Sequence, residues 1–433
     1  MAHIPRPANP WHRVLKIIKT MFRKLDSVNR CLLILMGLFI PLSTALTNVV
    51  LGLIVLFWIV DNTSDRFQRW ISVLKTNPVA FMGLAVFLIH MAGVLYTDAE
   101  KEKIAESLMD GAKFLFISMA MIYFKERQYS SIFLFSFVLT MLITLILSYL
   151  LWMGMLPGVF HIKGNPQDCN IFLNHIAQNI FMAFMAFAAA VWARFAIGYG
   201  KKILWGAVSF LALFNVLFMV EGRTGHLIMG VLFLYSFVTW GRIKGIIIAG
   251  LVLLVFGVFA WANPSNTFFL RAKTVIEEIK EWEYGKKASN QSSSGLRLEF
   301  FFNSLKIIKN NPVLGVGTGG FEKAYRELNK VSKMNPTDNP HNEYLMVTAQ
   351  FGFVGLASLL AFFYLQWRNA KCFDTREQTI LSRGFILTIL FACMVSSPLL
   401  DHAEGWFFAV MSAVLFAGLD TWEINGKKKM DIT

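Results

Sequence analysis

Charged residues are scarce in this chain. Asp, Glu, Lys and Arg make up 16% of its 433 residues, whereas a soluble domain carries about a quarter. Cysteine is rare as well, with Cys31, Cys169, Cys372 and Cys393 scattered over separate segments. There is no CxxC pair and no His spacing suited to zinc, so the expectation is no disulfide and no structural metal. HExxH motifs and acidic clusters are also missing, which argues against a metal-dependent mechanism. What the chain has instead is apolar residues, 56% of the total, with a mean hydropathy of +0.54. Uninterrupted apolar runs of about 17–25 residues recur from Cys31 to Trp422, each long enough to cross ~30 Å of hydrocarbon as a helix. This excludes a soluble enzyme with one core. It also excludes an outer-membrane barrel, whose strands alternate in ~10-residue segments. The fold class is an all-α polytopic membrane protein.

Acidic residues are outnumbered by basic ones, 27 to 41, for a net charge of +14. The Lys and Arg residues sit in short loops between apolar runs, the pattern that fixes membrane topology, so no nucleic-acid partner is expected. The apolar stretch Cys31–Val60 is too long for a signal-peptide core and too long for one ordinary span. Pro41 and the polar residues Ser43, Thr44, Thr47 and Asn48 predict a break into a hairpin. With that hairpin the chain has about twelve spans and both termini in the cytoplasm, and only Lys101, Lys103, Lys113, Lys163 and Arg223 fall in short outer loops. The remaining spans are expected at 78–96, 113–123, 129–156, 171–192, 203–220, 225–240, 246–262, 345–366, 384–400 and 405–421. The predicted organisation is a basic cytoplasmic N-terminus (1–30), spans one to nine (31–262), a periplasmic helical loop (263–344), spans ten to twelve (345–421) and a cytoplasmic tail (422–433). Within the loop, Arg271–Tyr284, Leu296–Lys309 and Phe321–Val331 read as helices, the second with Leu296, Phe300, Phe301, Leu305 and Ile308 on one face.

Four stretches on the expected outer side carry chemistry. In Asn339-Pro340-His341-Asn342-Glu343, Asn339 fits an N-cap and Pro340 the first helical position. His341 then falls in the first turn, where the helix dipole disfavours a protonated ring. A neutral imidazole is what a general base requires, although an interfacial histidine bonded to water or backbone is the alternative. In Glu221-Gly222-Arg223-Thr224-Gly225, the short turn pins Arg223 near the membrane surface, either snorkelling or meeting an anion. In Ser294-Gly295-Leu296-Arg297, Ser294 can cap the helix, and Arg297 is unfavourable in the first turn unless it answers an anion or is simply solvated. Asp401, in the last outer turn, could orient a base, pair an arginine or sit in a wet loop. His175 opens a span on the same side, as a further site candidate or a satisfied core histidine. His90 is expected to bond a neighbouring helix. Gly315–Gly320 looks like a phosphate loop, but no strand precedes it, so it reads as a helix stop and turn. Taken together, two arginines that can grip a diphosphate through forked donors and a neutral histidine that can deprotonate a hydroxyl describe transfer from a phosphate-activated lipid donor.

These residues also resemble a family. The Arg-Thr-Gly turn after a mid-chain span, the long loop with the Arg297 helix, Asn311-Pro312-Val313-Leu314-Gly315-Val316-Gly317, His341-Asn342-Glu343-Tyr344-Leu345 and Gly352-Phe353-Val354-Gly355-Leu356 match, in order, the bacterial O-antigen ligase/polymerase superfamily, and most of all the O-antigen ligase. The resemblance covers about Glu221–Leu356. It implies a GT-C-like inner-membrane glycosyltransferase working at the periplasmic face without metal or other cofactor. The donor would be O-antigen on undecaprenyl diphosphate, and the acceptor a hydroxyl of lipid A–core. Arg223 and Arg297 would bind the diphosphate, His341 would activate the acceptor, Asp401 would support the constellation, and Asn342 and His175 would contribute to substrate binding. An O-antigen polymerase shares this donor chemistry. A transporter is the rival from another class, but no inverted repeat is visible and the informative charges lie at the outer boundary.

Overall fold

The computed structural model describes residues 26–60, 64–156, 162–262, 273–274, 276–280, 282, 292–332 and 337–419. The basic stretch before residue 26, most of Arg271–Tyr284 and the tail 422–433 lie outside the described residues. All regular elements among the described residues are helices. Seven of them are long and apolar enough to cross a membrane, or eight if Thr44–Val60 and Asp65–Thr76 together form one bent span. Two shorter apolar helices, Pro78–Gly93 and His402–Phe416, pack among them. The chain is a multi-pass membrane protein. In lipid a spanning segment must satisfy its own backbone, which leaves the helix as the form open to these apolar runs.

The break expected at Pro41 is present. Residues 26–39 are helical, residues 40–42 turn, and a second helix runs over Thr44–Val60. Two other expectations change. Spans 225–240 and 246–262 are one continuous helix, Arg223–Ala262. The Gly241–Gly245 segment holds charges but no proline, so nothing there forces the backbone ladder to open. The span expected to begin at Lys113 begins at Lys101 and runs to Phe124, which places Lys113 inside a helix and not in an outer loop.

Packing centres on His175–Phe195, which is buried along most of its length and lies against Tyr199–Phe214, Arg223–Ala262 and Arg376–Val395. Aromatic rings join it to its neighbours. The Phe407 ring stands 4.5 Å from Phe181 and 5.2 Å from Phe137, centroid to centroid. With lipid on the outside, such close packing rather than exclusion of water holds the helices together. A second apolar cluster forms where the loop helices Ser293–Asn310 and Phe321–Ser332 meet Glu343–Asn369, through Phe300, Ile307, Phe321, Tyr325, Leu345 and Met346. Phe301 and Leu305 do not belong to this face. They are exposed, and Asn303 and Ser304 take the buried positions, Asn303 Nδ2 donating to the Tyr325 hydroxyl at 3.0 Å and Ser304 Oγ to the Phe300 carbonyl at 2.7 Å.

The glycine loop after Ser293–Asn310 is a structural clasp. Helix Glu343–Asn369 is interrupted at Gly352 (φ 63°, ψ −162°), a conformation that is essentially glycine-only. The freed backbone groups pair with the loop: Val316 N–H donates to Ala349 O (3.0 Å), Gly317 N–H to Gln350 O (2.8 Å), and Phe353 N–H to Pro312 O (2.8 Å). A Cβ at Gly352 would collide with the Val313 carbonyl, and one at Gly315 with the Gln350 backbone. Thr318 Oγ1 donates to His90 O at 2.6 Å, fastening the clasp to Pro78–Gly93. His90 itself shares a 2.9 Å hydrogen bond with Val86 O of its own helix, and its ring stands 4.4 Å from that of Phe351.

Candidate active site

Arg223 is set by a turn that two side chains grip. Tyr199–Phe214 passes into a π turn, Asn215–Met219, and the chain reverses at Glu221-Gly222. Asp168 Oδ1 accepts from Glu221 N–H at 2.9 Å, and Asn179 Nδ2 donates to Glu221 O at 3.1 Å. Gly222 has φ 149°, and a Cβ on it would stand 2.7 Å from Asn179 Nδ2 and 3.5 Å from His175 Cδ2. His175 therefore lies beside the turn that presents Arg223, the first residue of the next helix. Asp168 and Asn179 were not legible as site residues, because their partners are backbone groups dozens of residues away.

Arg223 reaches across to the loop. Its Nη1 donates to Ser294 Oγ at 2.9 Å. Ser294 is consequently not the helix cap. Ser292 is, accepting from Gly295 N–H at 3.1 Å. Arg297 follows about one turn later, half-buried. Burial, and then the positive charge of Arg223, hold its pKa below the ordinary guanidinium value. Among the described residues no carboxylate forms an ion pair with Arg223 or Arg297. Two guanidinium groups near enough to repel, at two helix N-termini and without a counter-charge among the described residues, form a site that an anion would complete.

His341 adjoins this pair. Burial lowers its pKa, Arg297 lowers it further, and Asp338 opposes both. Its ring centroid lies 6.0 Å from that of Phe300. The residue does not occupy a first helical turn. Asn342 is the cap, accepting from Leu345 N–H at 3.0 Å, and the helix starts at Glu343. His341 precedes the cap with φ 53°, the one non-glycine residue in the left-handed region among those described. Asn339 holds it there through a 2.8 Å bond from His341 N–H to its Oδ1, which also accepts from Ser397 Oγ at 2.7 Å. The lowered pKa thus follows from burial and a neighbouring cation rather than from the helix dipole. Asn342 is committed at both ends, since its Nδ2 donates to Met394 O at 2.9 Å.

Asp401 stands apart from these three. It lies at the N-terminus of His402–Phe416, beside Lys113, whose Nζ donates to Leu399 O (2.6 Å), Leu400 O (3.3 Å) and Asp401 O (3.4 Å) and pairs with Asp110 at 2.8 Å. Burial raises the Asp401 carboxyl, with Lys113 pulling the other way. The 396–401 turn is gripped from the opposite side by Glu343, whose Oε2 accepts from Leu399 N–H at 3.0 Å and whose N–H donates to Ser396 O at 3.2 Å. Lys113 and Glu343 thus fix the turn that carries Ser397, the partner of Asn339.

Residues 207–360 match the O-antigen ligase family, a stretch that takes in Arg223, Arg297, His341, the glycine clasp and Gly352. Over that stretch, about a third of its length, the chain is similar to the O-antigen ligase/polymerase superfamily. His175 and Asp401 lie outside the matched stretch. A protein of Haemophilus influenzae described as uncharacterized is 24% identical over 232 residues, half of this chain. The match takes in 57% of that protein, so this chain spans little more than half the length of its relative.

Proposed function

We propose that this chain is a member of the superfamily and an O-antigen ligase, moving O-antigen polysaccharide from undecaprenyl diphosphate to a hydroxyl of lipid A–core. The reaction takes place at the periplasmic face of the inner membrane. The observation that carries this reading is the pair Arg223 and Arg297, without a carboxylate partner among the described residues and beside His341, whose pKa burial and Arg297 lower. A diphosphate would supply the missing counter-charge.

The step is a direct displacement. The His341 imidazole takes the proton of the acceptor hydroxyl as its oxygen bonds to the anomeric carbon. The bond from that carbon to the diphosphate oxygen breaks, and its electron pair leaves with the diphosphate. Arg223 and Arg297 meet the charge that builds on the leaving group. The anomeric configuration inverts. Asn342 and His175 act as binding-site supports, the first by fixing the backbone next to His341, the second by packing against the Arg223 turn. Asp401 acts at a distance, within the turn held by Lys113.

The test is reconstitution of the full chain with a labelled polyprenyl-diphosphate oligosaccharide and lipid A–core, with His341→Ala in parallel. Glycan on lipid A–core with wild type alone supports the ligase. Longer polyprenyl-linked chains would assign the same site to polymerisation. Activity should survive excess EDTA, and loss that a divalent ion restores would overturn the metal-free mechanism.

A further inference from the structure

Against Asp338 and Asn339, the residues that lead to His341, lies a cavity of about 320 Å³ that the reaction as described does not use and that neither Arg223 nor Arg297 lines. It sits at the small end of the ~300–1,000 Å³ range of small-molecule sites. Its walls come from the Lys101–Phe124 helix (Lys103, Glu106, Asp110), the Phe321–Ser332 helix (Glu322) and the segment leading to His341 (Asp338, Asn339). Asp338 and Asn339 tie it to the candidate base. Asn339 receives the His341 N–H, and the charge of Asp338 is felt at the imidazole.

The lining offers hydrogen-bonding groups of both kinds. Lys103 Nζ is shared among Glu106 Oε2 (2.9 Å), Glu322 Oε2 (3.3 Å) and Asp338 Oδ2 (3.7 Å), three carboxylates to one ammonium. Asp110 is matched by Lys113 at 2.8 Å, and Glu322 also meets Arg326 at 3.8 Å. The surplus charge is negative. Gln350, 3% exposed, also lines the cavity. Its Oε1 accepts from Gly319 N–H (2.6 Å) and Ser107 Oγ (3.1 Å), which fixes the amide so that its NH₂ remains for the cavity. Asn339 is fixed in the same sense, its oxygen committed to His341 and Ser397. Carboxylate acceptors with amide and ammonium donors complement a polyol, whose hydroxyls both donate and accept. The same carboxylates repel phosphate and carboxylate groups.

We infer that this cavity is the acceptor-sugar subsite, taking an uncharged sugar ring and excluding a phosphorylated or acidic one. The inference rests on the proposed transferase reading and adds a division of labour by charge. The anionic donor is drawn to Arg223 and Arg297, the neutral acceptor sits among carboxylates, and His341 lies between. Neither substrate is at home in the other's place.

The test is equilibrium binding to the full-length protein in nanodiscs, with two probes: a labelled core oligosaccharide with a neutral terminal sugar, and a labelled polyprenyl diphosphate. Glu106→Gln removes a lining carboxylate. Met109→Trp fills the cavity from a lining side chain that is 70% exposed. Both variants should weaken core binding at least ten-fold and leave polyprenyl-diphosphate binding within two-fold. A wild-type preference for the neutral core over the same core phosphorylated on its terminal sugar should narrow in Glu106→Gln. Core binding unchanged in Met109→Trp, or wild type binding the phosphorylated core as well as the neutral one, would overturn the inference. The ligase reading fails separately, by wild type extending polyprenyl-linked chains and leaving lipid A–core unglycosylated.

Discussion

Arg223 donates a 2.9 Å hydrogen bond to Ser294, joining the start of a membrane helix to the start of a loop helix 71 residues further on. The bond is also a tether between the two elements that hold the guanidinium pair. Replacing Arg223 with Ala should lower kcat/KM for the lipid-linked donor by about 10²–10³, the effect of removing one group that stabilises transition-state charge. Lys should restore only part of it, because a point charge cannot reproduce the forked donors. Steady-state kinetics with the donor varied would decide this, and equal donor use by wild type and Ala would remove the arginine from the site.

His341 is held in a left-handed backbone conformation, so its two roles can be separated. Asn tolerates that conformation and Ala does not. Both variants should lose about 10²–10⁴ in transfer rate, the usual worth of a positioned base. Only Ala should also unfold at a lower temperature, by an amount equivalent to ~1–2 kcal/mol. Melting curves in detergent alongside the rates would distinguish a base from a residue needed for folding alone.

The direction of the His341 shift predicts a pH profile. Burial first, and Arg297 second, hold its pKa below the ordinary value. The base form therefore persists through neutral pH, and activity should fall as pH drops through that lowered pKa. In Arg297→Gln the electrostatic part of the depression disappears, the His341 pKa rises, and the acidic limb should move to higher pH. Donor saturation at each pH keeps this separate from the loss of diphosphate binding. An acidic limb that stays in place would mean that another group titrates.

Gly352 should not admit a side chain. Ala there meets both a glycine-only backbone region and the Val313 carbonyl. A destabilisation on the order of 3 kcal/mol or more is expected, seen as a lower melting temperature and poor yield, far above the effect of Ala at Gly206, which has open space around it.

Much of this architecture is visible in the residue order. Pro41 marks the helix break, the apolar runs mark the membrane helices, and Asn310-Asn311-Pro312 marks the end of the Ser293–Asn310 helix. Long-range bonds account for what was not visible. Lys113 looks like a charge that ends a span, because its three carbonyl partners lie in a turn nearly 300 residues away. Asn339 and Asn342 are equally good caps by composition, and only Ser397 reveals that Asn339 serves another purpose. The meeting of Arg223, Arg297 and His341 could be anticipated from charge type and expected sidedness. The position of Asp401 beside Lys113 could not, since its sequence context is the same in either place.

The clasp at Gly352 also governs the order in which the molecule can be assembled. A span emerging with its ladder open at mid-length would carry bare amide and carbonyl groups into hydrocarbon, where each costs several kcal/mol. The partners of those groups, Pro312 to Gly317, are synthesised earlier and belong to the loop that precedes the helix. The later helix can thus settle only once the earlier loop is in place to receive it. Biogenesis of this protein acquires a checkpoint, at which a misplaced loop leaves a span that the bilayer will not accept.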